Sequence, residues 1–179
     1  RELEDIKRKH KKVVDDVREK LKESHRRLKE VIEEARRRLD EVRKKLEKVI
    51  REILTSAGTE DERLKRVEET VRRVLEELEE LIKRLDDKAK RMLDEHRKIL
   101  EEIVKRADKS HKELDEMIKR RLPIEDLKRY VEEVKRDLDD LIRRSEELVR
   151  RIKEDLDRAL KELEELVRRI KKKLEEDRK

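Results

Sequence analysis

One glycine, Gly58, and one proline, Pro123, are all that punctuate this chain of 179 residues. Glycine interrupts helices through its backbone freedom, and proline through its missing amide and its ring. A sheet protein would need turn glycines and strands rich in β-branched or aromatic residues. Here Phe and Trp are absent and Tyr130 is the single aromatic of that kind. Helix is what remains.

The apolar residues repeat at steps of three and four from end to end. The first segment reads Leu3, Ile6, Val13, Val17, Leu21, Leu28, Ile32, Ala35, Leu39 and onward to Ile53. The middle segment runs from Leu64 through Val71, Leu75, Leu93 and Leu100 to Ile118, and the last from Leu127 to Leu174. This is the pattern of an amphipathic helix that buries one face. It also answers the composition, which is 60% charged and only 32% hydrophobic. Such charge can signal disorder, but disordered chains do not keep their apolar residues on one face. Doublets such as Val13-Val14, Leu81-Ile82 and Leu148-Val149 widen the stripe enough to meet two neighbours. Its mean spacing lies close to ~3.6 residues, so little supercoiling is expected.

The two interruptions divide the stripe into three. Gly58 suits the left-handed position after a helix end, and Thr59 with Glu62 forms a capping box for the next helix. Pro123 is expected at the first position of a third helix, where its missing amide costs nothing. Helices are therefore predicted over 1–57, 59–121 and 123–179, each roughly 85–95 Å long at 1.5 Å per residue. Matched lengths and short links predict one all-α domain over 1–179. Its architecture is a long, nearly straight, antiparallel three-helix bundle running up, down and up.

Four histidines interrupt the apolar seam. His10 lies between Ile6 and Val13, His25 between Leu21 and Leu28, His96 between Leu93 and Leu100, and His111 between Ala107 and Leu114. Helical phase turns all four inward, with Tyr130 and Ser145 on the third helix and Ser24 and Ser110 bordering the seam. In an antiparallel pair, residues at one level share a constant sum of residue numbers. That sum is 121 for His10 with His111 and for His25 with His96. It is 241 for His111 with Tyr130 and for His96 with Ser145. Two polar layers are expected: His10, His111 and Tyr130 with Ser110, then His25, His96 and Ser145 with Ser24. A buried polar group without a partner costs about 1–3 kcal/mol, so such layers penalise slipped pairings.

Regular patterning, the capping-box loop, the proline-started helix and these repeated His/Ser/Tyr layers resemble de novo designed helical bundles with buried hydrogen-bond networks. The resemblance is one of style along the whole chain and matches no family motif. It implies a structural scaffold with no natural activity and, in some versions, histidines that respond to pH. Spectrin-like repeats are the natural rival, but they usually carry core tryptophans, and this chain has none.

Other functions find less support. His10, His25 and His96 lack carboxylates three or four residues away, so a designed metal site is the second alternative after a pH-responsive bundle. No cysteine is present. A net charge of +6 is compatible with nucleic acid, but there are no aromatics to stack on bases and no unbroken basic stripe. No catalytic constellation, cofactor, membrane segment or targeting signal is expected, and the chain is expected to stand as a monomer.

Overall fold

A computed structural model describes residues 1–56 and 61–178 of the chain. It contains three helices: α1 over Glu2–Ser56, α2 over Asp61–Lys119 and α3 over Ile124–Arg178. They pack against one another as an all-α three-helix bundle. The Gly58 turn and the Thr59/Glu62 capping box expected from the sequence lie outside the described residues, as do the side chains of Leu64 and Leu174.

Packing divides the chain into two compact units, 1–29 with 91–151 and 30–90 with 152–179. Each takes a stretch of every helix. In the first unit, Arg106 of α2 reaches Asp137 of α3 at 3.1 Å, and Lys9 of α1 reaches Glu132 of α3 at 2.8 Å. Residue numbers fall along α2 as they rise along α3, so this pair is antiparallel. In the second unit, Arg36 of α1 meets Asp86 of α2 at 2.8 Å, and Lys88 meets Asp155 of α3 at 2.7 Å. These contacts keep the same sense of pairing. As pairs at the solvent-facing margin, exposed or half-buried, they report register more than they stabilise it, since surface pairs contribute about 0–1 kcal/mol each.

The core explains why α1 stays one helix. Its buried residues include Ile6, Val14, Val17, Leu21, Ser24, Leu28, Ile32, Ala35, Leu39, Val42, Leu46, Ile50 and Ile53. Ile6, Ser24 and Val42 are eighteen apart in turn, as are Val14, Ile32 and Ile50. At 3.6 residues per turn that interval is five whole turns, so the buried row does not drift around α1. At four doublets one member takes the innermost place: Val14, Ile99, Leu141 and Leu148 are buried while Val13, Leu100, Ile142 and Val149 flank them, whereas Leu81 and Ile82 are both half-buried. Burying each Leu or Ile of such a row is worth about 1.5–3 kcal/mol. The second unit has an aliphatic core. Among the described residues, every buried polar one, namely His10, Ser24, His96, Ser110 and Ser145, belongs to the first.

The turn between α2 and α3 differs from expectation by a few residues. α2 ends at Lys119 rather than 121. The Leu122 amide donates to the Met117 carbonyl at 3.2 Å and the Arg121 amide to Ile118 at 3.0 Å, which makes a Schellman cap. That cap needs a left-handed residue, and Arg121 supplies it with φ of 57°. Pro123 stands just before α3 instead of at its first position, its carbonyl accepting from the amides of Asp126 and Leu127. A left-handed conformation crowds the Cβ of any residue but glycine. Arg121→Gly is therefore expected to stabilise the protein by about 0.5–1 kcal/mol. A thermal melt checks this: the midpoint should rise by about 1–4 °C, and a fall would show that the cap is unstrained.

Candidate functional site

The first unit holds two separate histidine groups, each tying one helix to another. In the first, His10 of α1 is 3% exposed, and its Nε2 lies 2.8 Å from Oγ of Ser110 on α2. Ser110 also donates its single hydroxyl proton to the Ala107 carbonyl at 3.0 Å. Its Oγ can then only accept from His10, so the Nε2 of His10 carries the proton. A second proton on the free Nδ1 would leave this bond intact.

The second group is a chain across three helices. Nδ1 of His25 on α1 lies 2.8 Å from Nδ1 of His96 on α2, and Nε2 of His96 lies 2.6 Å from Oγ of Ser145 on α3. His96 and Ser145 are fully buried, whereas His25 is half-buried. Among the described residues the Ser145 side chain bonds to nothing else, so its hydroxyl donates to Nε2 of His96. His96 must then carry its proton on Nδ1 and donate it to Nδ1 of His25, which keeps its own proton on Nε2. Every buried donor has an acceptor in this arrangement. One added proton on His25 forces the chain to reverse: His25 donates to His96, His96 donates to Ser145, and the Ser145 proton loses its acceptor. A second proton would set two N–H groups against each other. This chain therefore resists protonation through its geometry, while the His10–Ser110 bond does not.

Electrostatics act in the same direction. Burial drives the His96 imidazole down to about 4, and the neighbouring His25 adds to the effect. His10 is lowered first by burial and then by His111, while Asp115 opposes the shift. His25 is lowered by burial, then by the cations Lys29 and Arg97. A buried imidazole loses the water that would stabilise its charge, which is the dominant cause in all three.

Two expected members stand elsewhere. His111 was placed inward by phase, but its side chain is 69% exposed and faces Asp115 at 3.5 Å. The buried row of α2 runs Ile103, Ala107, Ser110, Leu114, so Ser110 takes the inward slot and His111 turns outward by one step of about 100°. The His10 and His111 rings remain neighbours, with centroids 6.2 Å apart. Tyr130 is half-buried beside the row Leu127, Val131, Val134, and it donates to the Glu113 carboxylate instead of joining His10. Burial and then that carboxylate hold its hydroxyl above the ordinary tyrosine range. Ser24 is buried in the α1 row but bonds to neither histidine group. Sequence reasoning missed Glu113. Its signal was the register, because 113 with 130 has the same sum as 106 with 137.

The arrangement limits the chemistry available. Two imidazole nitrogens 2.8 Å apart are closer than two zinc–nitrogen bonds of about 2.0 Å would place them. Among the described residues, no group of three or more His, Cys, Asp or Glu is arranged to hold a metal ion. The Ser145–His96 contact has the length of a nucleophile–base pair, yet both residues are 0% exposed, so no substrate reaches them. Among the described residues, no helix is long and apolar enough to cross a membrane. Comparisons with protein-family models, curated proteins and solved structures gave no match.

Proposed function

We propose that this chain is a structural scaffold of the kind built as de novo designed helical bundles, a monomer that needs neither cofactor nor partner. Its two histidine groups serve to select one pairing of the helices. The observation that carries this reading is the His25–His96–Ser145 chain, which links all three helices and gives the buried Ser145 and His96 one acceptor each. Sliding α2 by one turn against α1 or α3 sets His96 against leucine or valine, at the cost of an unmade buried bond. An aliphatic seam has no such preference, since neighbouring registers bury similar area.

The test removes both groups together: His10→Leu, Ser110→Ala, His25→Leu, His96→Leu and Ser145→Ala. Circular dichroism should show retained helicity. The amide NMR spectrum should gain extra sets of peaks, or sedimentation velocity should reveal associated species. A single set of peaks in a monodisperse protein would show that the apolar core alone selects the pairing.

A second reading, a pH-responsive bundle, is favoured by one feature, the Nδ1-to-Nδ1 bond that cannot hold two protons. In that reading the same chain selects the pairing at neutral pH and releases it in acid.

A further inference from the structure

A groove of about 890 Å³ opens between α1 and α2 in the first unit. Its apolar floor includes Val14, Ala107 and Leu114, which are buried. Val104 stands beside them with 54% of its surface exposed, more than any other large apolar side chain among the described residues. Its rim is basic, with Lys7, Arg8, Lys11, Arg18 and Lys105. The two acids on the same rim are already engaged, Asp108 with Lys112 at 3.2 Å and Asp115 with His111 at 3.5 Å. Among the described residues, none of the five cations is paired with a carboxylate.

Arg18 adds an independent observation. Its Nε is buried with no hydrogen-bond partner, alone in this among the buried side-chain nitrogens and oxygens of the described residues. Buried donors are nearly always satisfied, so an unmet one calls for an acceptor from elsewhere. The helix register sets Arg18 level with Val104 and Lys105, and Lys7 level with Leu114. One end of the groove thus gathers a guanidinium and an ammonium, and the floor leads away from them over Val14 and Ala107.

We propose that this groove binds an amphiphilic anion, with an apolar chain lying on Val104, Val14 and Leu114 and a carboxylate held by Arg18 and Lys105. Arginine suits that headgroup because its planar donors match the two carboxylate oxygens. The volume falls within the range of about 300–1,000 Å³ usual for small-ligand sites. Val104 alone offers too little exposed apolar surface to hold a docked helix. The groove between α1 and α2 in the second unit is an internal contrast: it measures about 320 Å³, and its Arg36 is already bonded to Asp86 at 2.8 Å.

Decanoate, decyltrimethylammonium and acetate, titrated separately and followed by calorimetry and methyl NMR, test the proposal. Decanoate should bind one per chain and shift the methyl resonances of Val14, Val104 and Leu114. Decyltrimethylammonium, with the same tail and the opposite charge, should bind at least about tenfold more weakly, as should acetate, which lacks the tail. Arg18→Gln should weaken decanoate about tenfold with helicity unchanged, and Val104→Glu should weaken it further. Equal affinity for the two ten-carbon probes would overturn the proposal. So would the absence of saturable decanoate binding, or shifts confined to Ile82 and Leu85 in the second unit.

Discussion

Lowering the pH from 6.5 to 5 should lower the guanidinium chloride midpoint of this protein, and the fall should continue to about pH 4. The three imidazoles of the histidine groups are all depressed, His96 to about 4. An unfolded histidine titrates near ~6.5. Below that value the unfolded chain takes up protons that the folded protein refuses. Stability is therefore complete above pH 6.5 and drains away as pH falls through the folded values. For His96, which is fully buried, the loss by pH 4 is about 3 kcal/mol. His10 and His25 lose stability in the same direction. Carboxylates held low by cations, such as Asp86 beside Lys90 and Glu132 beside Lys9, also lose stability in acid, but only below their ordinary values of 3.8 and 4.5. The window above pH 5 therefore belongs to the imidazoles. A midpoint that does not move between pH 6.5 and 5 would mean that these rings are solvated when folded.

His96→Leu should destabilise the protein by about 1–3 kcal/mol in urea at pH 7.5, although leucine is apolar and close in size. The loss comes from Ser145, whose buried hydroxyl has no acceptor once the imidazole is gone. His25 is half-buried and can turn to water, so its share is smaller. Adding Ser145→Ala and His25→Leu should restore the midpoint to the parent value or above it. Removing all partners of a buried polar set together is often neutral or stabilising, whereas removing one is not. Additive losses across the three substitutions would contradict this, because they would mean that each residue acts through packing alone. Stability and uniqueness come apart here: the triple variant can be as stable as the parent while pairing its helices less selectively.

Much of this was legible in the sequence because the apolar stripe is so regular and Pro123 marks the link between α2 and α3. The three helices follow from the apolar period, and the antiparallel pairing follows from the short α2–α3 link. The helix end at Lys119 was not legible, because the cap there uses Arg121 in a conformation that sequence rules assign to glycine. The histidine groups were legible in part. His25, His96 and Ser145 meet as their numbering suggests, but Ser110 displaces His111 beside His10. Both 110 and 111 lie between Ala107 and Leu114, and one step of about 100° decides which faces the core. That choice depends on the whole buried row from Ile103 to Leu114, not on the two flanking residues. The unpartnered Nε of Arg18 could not be foreseen at all, since satisfaction of a donor is a matter of coordinates.

The imidazole-to-imidazole bond is the feature on which the account turns, and long-range proton–nitrogen NMR of the four rings at pH 7.5 examines it directly. His96 should show a protonated Nδ1 and an unprotonated Nε2, with a coupling from its Nδ1 across the bond to Nδ1 of His25, and His10 should be protonated at Nε2. If His96 instead shows the averaged nitrogen shifts of a free imidazole, titrating near ~6.5 like one in water, the chain that links the three helices does not exist.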